Sequence, residues 1–404
     1  MSVERPVSVP GDPAHVLTVA SAEAEMKLLR FLQCRLRDDL PLPVLHKWIR
    51  SGQVRVNGGR VKPFVRLAGG DVVRLPPFAA PVTASVGGPG LLSSPGFLAG
   101  SQPASGPLFP LGSGFLLGPG LEIVAVSGDL LVLHKSAGLS CHPGSAPARR
   151  APGAPAPDSV SARLRAAFAA CPYIPAPAHR LDRRTSGLLL AGLTYARARC
   201  LHSLFRRGGI AKYYLAWVRG RVPWTGARIL EDRTEKKIVA GRERVCALPE
   251  GNPDEPPPCS PVGDTGALLF PRGREGLERG RALCAALVLG HLEAERLPPG
   301  LCAAFTGKAG EAATTLLLLR PLTGFKHQLR AQLAARAFPL IGDPLYGGPP
   351  FPDLLLHAYA LRLPPHGGEE GNAPELFVLP PPWGAPFVPD AAGLLPADLL
   401  PDAI

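Results

Sequence analysis

Two helices are predicted near the amino end of the chain, over residues 24–36 and 42–50. In each segment, apolar residues recur every three or four positions, the spacing that places them on one side of a helix. The residues on these inner sides are Leu28, Leu29, Leu32, Leu36, Leu45 and Trp48. Ser51 and Gly52 follow the second segment and end it, because glycine leaves the helical conformation easily.

Short strands are predicted to follow these helices and to complete a small α/β module over residues 22–77. The predicted strands cover 53–58, 61–67 and 71–75. The first of them alternates polar and apolar side chains and closes on Asn57-Gly58, a pair that is typical of a tight hairpin turn. Residues 1–21 are polar at the start and rich in proline, and they are expected to form a mobile arm.

Longer apolar runs alternate with helical patterns in the next part of the chain. The predicted strands cover 121–126, 130–135, the run after Gly187, 210–218, 312–320 and part of 339–347, and the predicted helices cover 159–170, 195–207 and 326–337. Because strands and helices alternate irregularly, the fold class predicted is α+β, a largely antiparallel mixed sheet with flanking helices. Lys212 and Tyr214 would lie on one face of their strand.

Proline and glycine interrupt these patterns in three places. The chain contains 49 Pro and 46 Gly, well above ordinary usage, which predicts long irregular segments. The segments are a linker over 78–118, an irregular insert at about 240–310 and a proline-rich tail over 365–404. The expected globular parts are therefore the module over 22–77 and a catalytic domain over 119–364.

The chain is strongly basic, with a formal net charge of +12 and a pI near 9.6. This balance favours a polyanionic partner, and nucleic acid is favoured over an anionic membrane surface, although a merely basic protein is the alternative. In the amino-terminal module, a basic cluster is a candidate RNA contact rather than only a solvated face. Its members are Lys47, Arg50, Arg55, Arg60 and Lys62.

The eight cysteines are scattered without a Cys-x-x-Cys pair, which indicates reduced thiols rather than a zinc site or a disulfide framework. The amino end lacks the apolar core of a signal peptide, and no run approaches the length of a membrane span. A cytoplasmic protein without membrane contact is expected. A monomer with no obligate protein partner is the simplest expectation for its assembly.

The stretch 179–190 places one carboxylate, Asp182, in a run of arginines. Arg180, Arg183 and Arg184 lie within two residues of it, and opposite charge nearby favours the ionised carboxylate. The same arginines are candidate contacts for RNA phosphates. The plain alternative is a structural acid that the arginines neutralise.

Several reaction classes lack the residues that they need. Asp182 has no acidic neighbour to share a metal ion, and the chain contains no Gly-x-Ser-x-Gly motif and no phosphate-binding glycine loop. Neither a metal nor a nucleotide cofactor is therefore expected. What fits is a cofactor-free reaction at a glycosidic bond, with one carboxylate on a basic RNA-binding scaffold. The target nucleotide would have to leave the base stack to reach that carboxylate.

Five ordered motifs resemble those of the RluA family of RNA pseudouridine synthases. They are LLVLHKSAGL at 130–139 with HPG at 142–144, HRLDRRTSG at 179–187, KYYLA at 212–216, TGFKHQLR at 323–330 and GDPLYG at 342–347. The amino-terminal module resembles the RNA-binding domain named after small-subunit ribosomal protein S-four. That resemblance is carried by LPVLHKWIRSGQVRVNG at 42–58 and GDVV at 70–73.

The resemblance implies a pseudouridine synthase fold and a set of roles. Asp182 would act on the target uridine, whose uracil is detached at N1 and reattached through C5. Arg180 would occupy the vacated place in the RNA, and Tyr214 would pack on the uracil and assist the final proton step. Arg330 would pair with Asp182, and Lys212 would be a nearby structural or phosphate contact.

Some residues have plainer interpretations or depart from the family pattern. Tyr214 could be a core tyrosine, Arg330 a surface arginine, and His327 a residue that hydrogen-bonds at the start of a helix. Phe325 stands where the family usually has arginine, and Gln332 replaces a frequent histidine. These departures bear on substrate choice more than on the reaction.

Large-subunit ribosomal RNA is the favoured substrate of the predicted enzyme. Transfer RNA, modified by the same reaction, is the alternative. A third hypothesis, from another class of protein, is a non-catalytic RNA-binding factor of ribosome assembly.

Overall fold

The computed structural model describes residues 15–36, 42–76, 115–143, 158–169, 171–239, 242–249, 259–261, 281–303, 305, 313–365 and 374–388. Its α-helices are α1 (Leu28–Arg35), α2 (Leu42–Arg50), α3 (Val160–Ala167), α4 (Tyr195–Arg207), α5 (Pro299–Ala303) and α6 (Gln328–Ala335). Its strands are β1 (Val16–Thr18), β2 (Arg55–Val56), β3 (Val72–Arg74), β4 (Phe115–Leu116), β5 (Leu121–Ser127), β6 (Leu130–Lys135), β7 (Ser186–Gly192), β8 (Ala211–Arg219), β9 (Ala227–Val239), β10 (Arg242–Pro249), β11 (Cys259–Pro261), β12 (Arg281–Leu292), β13 (Thr314–Pro321), β14 (Leu356–Leu363) and β15 (Glu375–Val378).

The amino-terminal module is a three-stranded antiparallel sheet, ordered β1-β3-β2, whose core also contains apolar residues of α1 and α2. Helix α2 has the predicted bounds, and its Leu45 and Trp48 are buried as predicted. The predicted tight turn is present as well, with φ of 49° at Asn57 and 77° at Gly58, and it closes on a single bridge between Val56 and Gly59 rather than on a two-stranded hairpin. Helix α1 begins later than predicted, because Glu25 adopts a positive φ of 68° that interrupts a helix.

Two predictions for this module are wrong. Strand β1 pairs with β3, so the described part of the supposed arm belongs to the sheet, and residues 1–14 lie outside the described residues. Residues 61–67 form no strand; Arg66 makes a single isolated bridge with Lys27. Both errors concern pairing with distant residues, which local alternation does not reveal.

The second sheet has twelve strands, ordered β10-β9-β12-β13-β8-β14-β7-β6-β5-β4, with β11 beside β9 and β15 beside β14. The only parallel pair in it joins β7 and β14, and all other described pairings are antiparallel. The mixed, mostly antiparallel sheet confirms the predicted fold class. Among the described residues, no helix is long and apolar enough to cross a membrane.

The described parts of the supposed insert and tail belong to this sheet. Strands β9, β10 and β12 form one end of it, so the prediction of an irregular insert at about 240–310 is wrong there. Strand β15 pairs with β14, and Trp383 and Phe387 are buried, so 374–388 is not a loose tail. The predicted linker at 78–118 falls largely outside the described residues, and its end forms β4.

Helix α4 connects the module with the large sheet. Its first residue, Tyr195, packs with Tyr173 against the core of the module, and the two ring centroids are 6.4 Å apart. Arg199 of the same helix places Nη1 at 3.6 Å from Oε2 of Glu25. At the opposite end of α4, Phe205 and Arg206 line a cavity that β8 of the large sheet also lines.

The parallel contact between β7 and β14 depends on a glycine. Gly187 has φ of 121°, and a Cβ built on it would lie 2.4–2.7 Å from backbone atoms of Ala358. Only a residue without a side chain permits this approach. Gly187 therefore fixes where the loop that carries Asp182 enters the sheet.

Replacing Gly187 with alanine is expected to lower the free energy of unfolding by about 2 kcal/mol or more, because backbone must move away and φ is strained. The control is Gly128→Ala in the turn between β5 and β6, where φ is 55° and no atom lies within 4 Å of the added Cβ. That variant should lose only about 1 kcal/mol. Urea denaturation of both variants gives the comparison, and equal losses would contradict the tight contact.

Candidate active site

A cavity of about 550 Å³ opens beside β8, in the middle of the strand order of the large sheet. Its walls come from the loop before β7, the end of α4, strand β8, and the loop and first turn of α6. The five residues that the sequence predicts for catalysis and its support all line it, namely Arg180, Asp182, Lys212, Tyr214 and Arg330. Segments that are far apart in the chain therefore meet around one carboxylate.

Asp182 faces the first turn of α6. Its side chain is 18% exposed, and Oδ2 lies 3.6 Å from Nη1 of Arg330. The other nitrogens of this guanidinium bind Asp343, with Nε donating to Oδ2 at 2.7 Å and Nη2 to Oδ1 at 2.8 Å. The predicted pairing of Arg330 with Asp182 is thus the longer of two contacts, and the buried Asp343 holds the arginine in place.

The loop that carries Asp182 is attached through its backbone to buried Lys135. The ammonium of Lys135 donates to the carbonyl oxygens of Ser136, Leu139 and Arg183 at 2.9, 3.0 and 3.3 Å. Burial lowers the pKa of Lys135 to about 8, against the opposing effect of charge on Cys141 and Asp182. One cation therefore ties the end of β6 to the residue next to Asp182.

A second attachment uses the sulfur of Cys141. Leu181 donates its backbone N–H to Sγ at 3.2 Å, and the thiol donates to the carbonyl of Leu181 at 3.4 Å. Burial raises the pKa of the Cys141 thiol, which keeps its proton for this bond. The residue before Asp182 is thus held at both of its backbone polar groups.

Tyr214 and Lys212 lie on the same face of β8 and line the cavity, as the alternation predicts. Burial, followed by the charge of Asp182, raises the pKa of Tyr214 well above its ordinary value, so the phenol is neutral. Lys212 donates from Nζ to the carbonyl of Thr323 at 3.3 Å, at the start of the loop before α6. Tyr213 points to the opposite face and is buried in the core.

The arginines around Asp182 occupy different places. Arg180 is exposed at the cavity, and Arg183 is exposed on the loop. Arg184 is half-buried and donates from Nη2 to the carbonyl of Pro352 at 3.3 Å. Arg206 of α4 also lines the cavity and adds a cation that the sequence motifs did not indicate.

His179 orients the Asp182 loop through contacts with β7 and α4. Leu190 donates its backbone N–H to Nε2 of His179 at 3.2 Å, and the imidazole packs on Phe205 with ring centroids 4.3 Å apart. Burial lowers the pKa of His179 to about 3, so the ring is neutral. These contacts join β7, the loop and α4.

His327 differs from its predicted role at the start of a helix. It precedes α6, but its side chain makes no capping hydrogen bond. The ring instead lines the cavity, with Nε2 at 3.9 Å from Oδ2 of Asp182. Phe325 also lines the cavity, and 38% of its surface is exposed where the family pattern has arginine.

Sequence reasoning missed the roles of four residues near Asp182. Lys135, His327 and Asp343 stand in the five ordered motifs, which was the available signal, whereas Cys141 had none. Some of these residues contact partners that are far away in the sequence. Lys135 and Arg183, for example, are 48 positions apart.

The basic residues predicted to contact RNA in the amino-terminal module lie around the end of α2 and the tight turn. Lys47, Arg50, Arg60 and Lys62 are exposed, and Arg55 is half-buried. Arg55 donates from Nη1 to the carbonyl of Gly58 at 3.2 Å, which orders the turn. Within the described residues, no three His, Cys, Asp or Glu side chains form a group that could hold a metal ion.

Comparison with known proteins relates the chain to RNA-modifying enzymes. Residues 129–335 match the family model described as RNA pseudouridylate synthase. The ribosomal large subunit pseudouridine synthase C of Yersinia pestis is 31% identical over 243 residues, which span 59% of this chain and 65% of that protein, just under two thirds. The protein of the same name from Haemophilus influenzae is 24% identical over 372 residues, 88% of each chain.

A solved structure titled Human RNA Pseudouridylate Synthase Domain Containing 1 is 24% identical, with a TM-score of 0.42, over 65% of this chain and 84% of that chain.

Replacing Lys135 with methionine is expected to detach the Asp182 loop from β6 and to lower the free energy of unfolding. Three carbonyl oxygens lose their donor, and unsatisfied buried groups cost about 1–3 kcal/mol each. The control Lys237→Met removes an exposed lysine and should change stability by less than about 0.5 kcal/mol. Both effects are measured by urea denaturation.

Comparison of wild type with Lys135→Met at different pH values tests the protonation of Lys135. Its pKa is about 8 in the fold and 10.5 ordinarily, so the unfolded state binds more protons between these values. The stability gap between wild type and Lys135→Met should be constant below about pH 8. It should widen as the pH rises to about 10.5, by at most about 3 kcal/mol. A gap that stays constant over this range would show that the pKa of Lys135 is unshifted.

Proposed function

The chain belongs to the RNA pseudouridylate synthase family, and from that membership we propose that it isomerises specific uridines of large-subunit ribosomal RNA to pseudouridine. The observation that carries the proposal is Asp182, a partly exposed carboxylate in a cavity with Tyr214 and Arg330. The names of the Yersinia pestis and Haemophilus influenzae relatives support ribosomal RNA of the large subunit as the substrate.

The proposed roles follow the cavity walls. Asp182 acts at the sugar of the flipped uridine, and Arg330 supplies a fixed counter-charge at 3.6 Å. Tyr214 offers a neutral aromatic face for the uracil, a contact worth about 1–3 kcal/mol per base. Arg180, exposed at the cavity, occupies the place that the uridine vacates in the RNA. Lys212 holds the loop before α6 and contributes positive charge.

The amino-terminal module is proposed to bind RNA, as its resemblance to the S-four domain implies. Its exposed cations support this role, because phosphate contacts from lysine and arginine dominate affinity for nucleic acid. Arg183 and Arg184 add contacts beside the cavity. A cytoplasmic location is part of the proposal, since ribosomal RNA is the partner it requires, and a monomer is the simplest assembly consistent with it.

Two other functions are distinguishable by experiment. The same reaction on transfer RNA is separated by a pseudouridine map of ribosomal and transfer RNA from a strain that lacks the gene. A non-catalytic assembly factor would leave both maps unchanged.

Replacing Asp182 with asparagine is expected to reduce pseudouridine formation to background, because the reacting carboxylate is lost. RNA binding should be kept or slightly strengthened, since a negative charge facing a polyanion is removed. The control Glu293→Gln removes the same charge at an exposed site and should keep full activity. Pseudouridine is counted by mass spectrometry of the RNA, and an active Asp182→Asn protein would refute the proposal.

Replacing Lys47, Arg50 and Lys62 together with glutamine is expected to weaken RNA binding and its salt dependence. The slope of log affinity against log salt should fall by about 0.7–0.9 for each phosphate that the variant no longer neutralises. A charge-matched control carries Lys236→Gln, Lys237→Gln and Arg296→Gln, three exposed sites outside the module. Equal slopes for the two triple variants would contradict an RNA-binding module.

A further inference from the structure

His327 has an unusual backbone for the position that it occupies. It lies directly before α6 with φ of 55° and ψ of 21°, the left-handed region that residues other than glycine enter at a cost. This conformation turns the imidazole away from the helix and into the cavity beside Asp182. Such strain is concentrated at functional sites, where the surrounding structure maintains it.

The hydrogen bonds around the ring determine which nitrogen carries the proton. Tyr346 Oη lies 2.9 Å from the carbonyl oxygen of Val245, which can only accept, so the phenol uses its single proton there. Tyr346 Oη also lies 3.2 Å from Nδ1 of His327 and must accept from it. Nδ1 is therefore protonated, and Nε2 of the neutral ring presents a lone pair.

That lone pair faces the reaction site. Nε2 lies 3.9 Å from Oδ2 of Asp182, on the cavity side of the ring. The ring of Tyr346 is buried and packs between two cations, because the guanidinium of Arg244 lies 4.5 Å and that of Arg330 5.0 Å from its centroid. The direction of the Nε2 lone pair is thus set by a chain of contacts from β10.

The charged groups around His327 leave it neutral near pH 7. Burial lowers the pKa of His327 most; Asp182 raises it, Arg330 and Lys326 lower it, and Asp343 raises it. Tyr214, which also lines the cavity, has its pKa raised by burial and by Asp182. A neutral imidazole accepts a proton readily, whereas a phenol that keeps its proton does not.

We propose that Nε2 of His327 is the base that removes the C5 proton of the uracil in the last step of the isomerisation. The inference rests on the proposed function. It gives the final proton step to His327 rather than to Tyr214. Nε2 lies 3.9 Å from Oδ2 of Asp182. Because Asp182 is proposed to act at the sugar carbon that becomes bonded to C5, a base at this position would lie beside the C5 proton.

The step balances within the uracil. Once C5 is bonded to the sugar, C5 is tetrahedral and N1 is doubly bonded to C6. Nε2 takes the C5 proton, and the electron pair of the broken C–H bond forms the C5=C6 double bond. The N1=C6 pair moves to N1, which takes up a proton, and the imidazolium returns to neutrality by releasing its own. No oxidant or cofactor is required.

The test uses the full chain with His327→Asn. Asparagine tolerates the left-handed conformation, and its amide can donate to Tyr346 in place of Nδ1, but it has no basic nitrogen in place of Nε2. Transcripts of large-subunit ribosomal RNA are made with uridine, with uridine deuterated at C5, or with 5-fluorouridine. Single-turnover rates are measured by mass spectrometry of the digested RNA.

The expected result has three parts. Pseudouridine formation by His327→Asn should fall by about 100-fold or more, the usual contribution of a positioned base. A primary isotope effect at C5, larger than that of wild type, should accompany the loss. Consumption of 5-fluorouridine should keep its wild-type rate, because no proton leaves C5 in that substrate.

Other outcomes overturn the inference in distinguishable ways. An unchanged rate on uridine, or equal losses on uridine and 5-fluorouridine, would remove His327 from the final step while wild-type activity still supports the proposed function. A wild-type protein inactive on every transcript would refute the proposed function itself. Tyr346→Phe provides the second variant, because it frees the proton on Nδ1 to move to Nε2. Its rate of pseudouridine formation should fall less than that of His327→Asn, with the same isotope effect at C5 as that variant.

Discussion

The ion pair between Arg330 and Asp343 organises the site. A bidentate contact fixes the plane of the guanidinium, so the position of its third nitrogen near Asp182 is determined by a fully buried carboxylate. Removing one partner of such a buried pair typically costs about 3–5 kcal/mol. Asp343 is fully buried with both oxygens occupied, whereas Asp182 is partly exposed and lies farther from the arginine. This difference explains how two carboxylates on the same arginine serve different purposes.

The loop that presents Asp182 is held through its backbone rather than its side chains. Lys135 and the N–H of Gly138 both bind the carbonyl of Arg183, and Cys141 binds both backbone groups of Leu181. Backbone attachment leaves the side chains of Arg180 and Asp182 available to line the cavity. The loop then enters the sheet at a glycine whose neighbours leave no space, which fixes the direction of the next strand.

The sequence predicted elements whose signal is local and missed those whose partners are distant. Helix α4 and strand β6 have the predicted bounds, because a strong period and a clear glycine or charged end mark them. Strands β1 and β15 were missed, since each is short and is stabilised by a partner far along the chain. In the site, motif order predicted that Asp182, Tyr214 and Arg330 would meet. Which group holds which was not predictable, because Asp343 competes for the same arginine from a turn. The strand predicted over part of 339–347 is wrong, since that segment makes only an isolated bridge at Leu340.

Helix α4 gives the two parts of the protein a common frame. Its 13 residues span about 20 Å, from Tyr195, which packs against the core of the module, to Arg206 at the cavity. A helix of this length bends little under the contacts at its ends, so the exposed cations of the module lie at a set distance from Asp182. RNA held by those cations would therefore present to the cavity only nucleotides within a limited reach. Under the RNA-binding role proposed for the module, it would then contribute to the choice of uridine through distance.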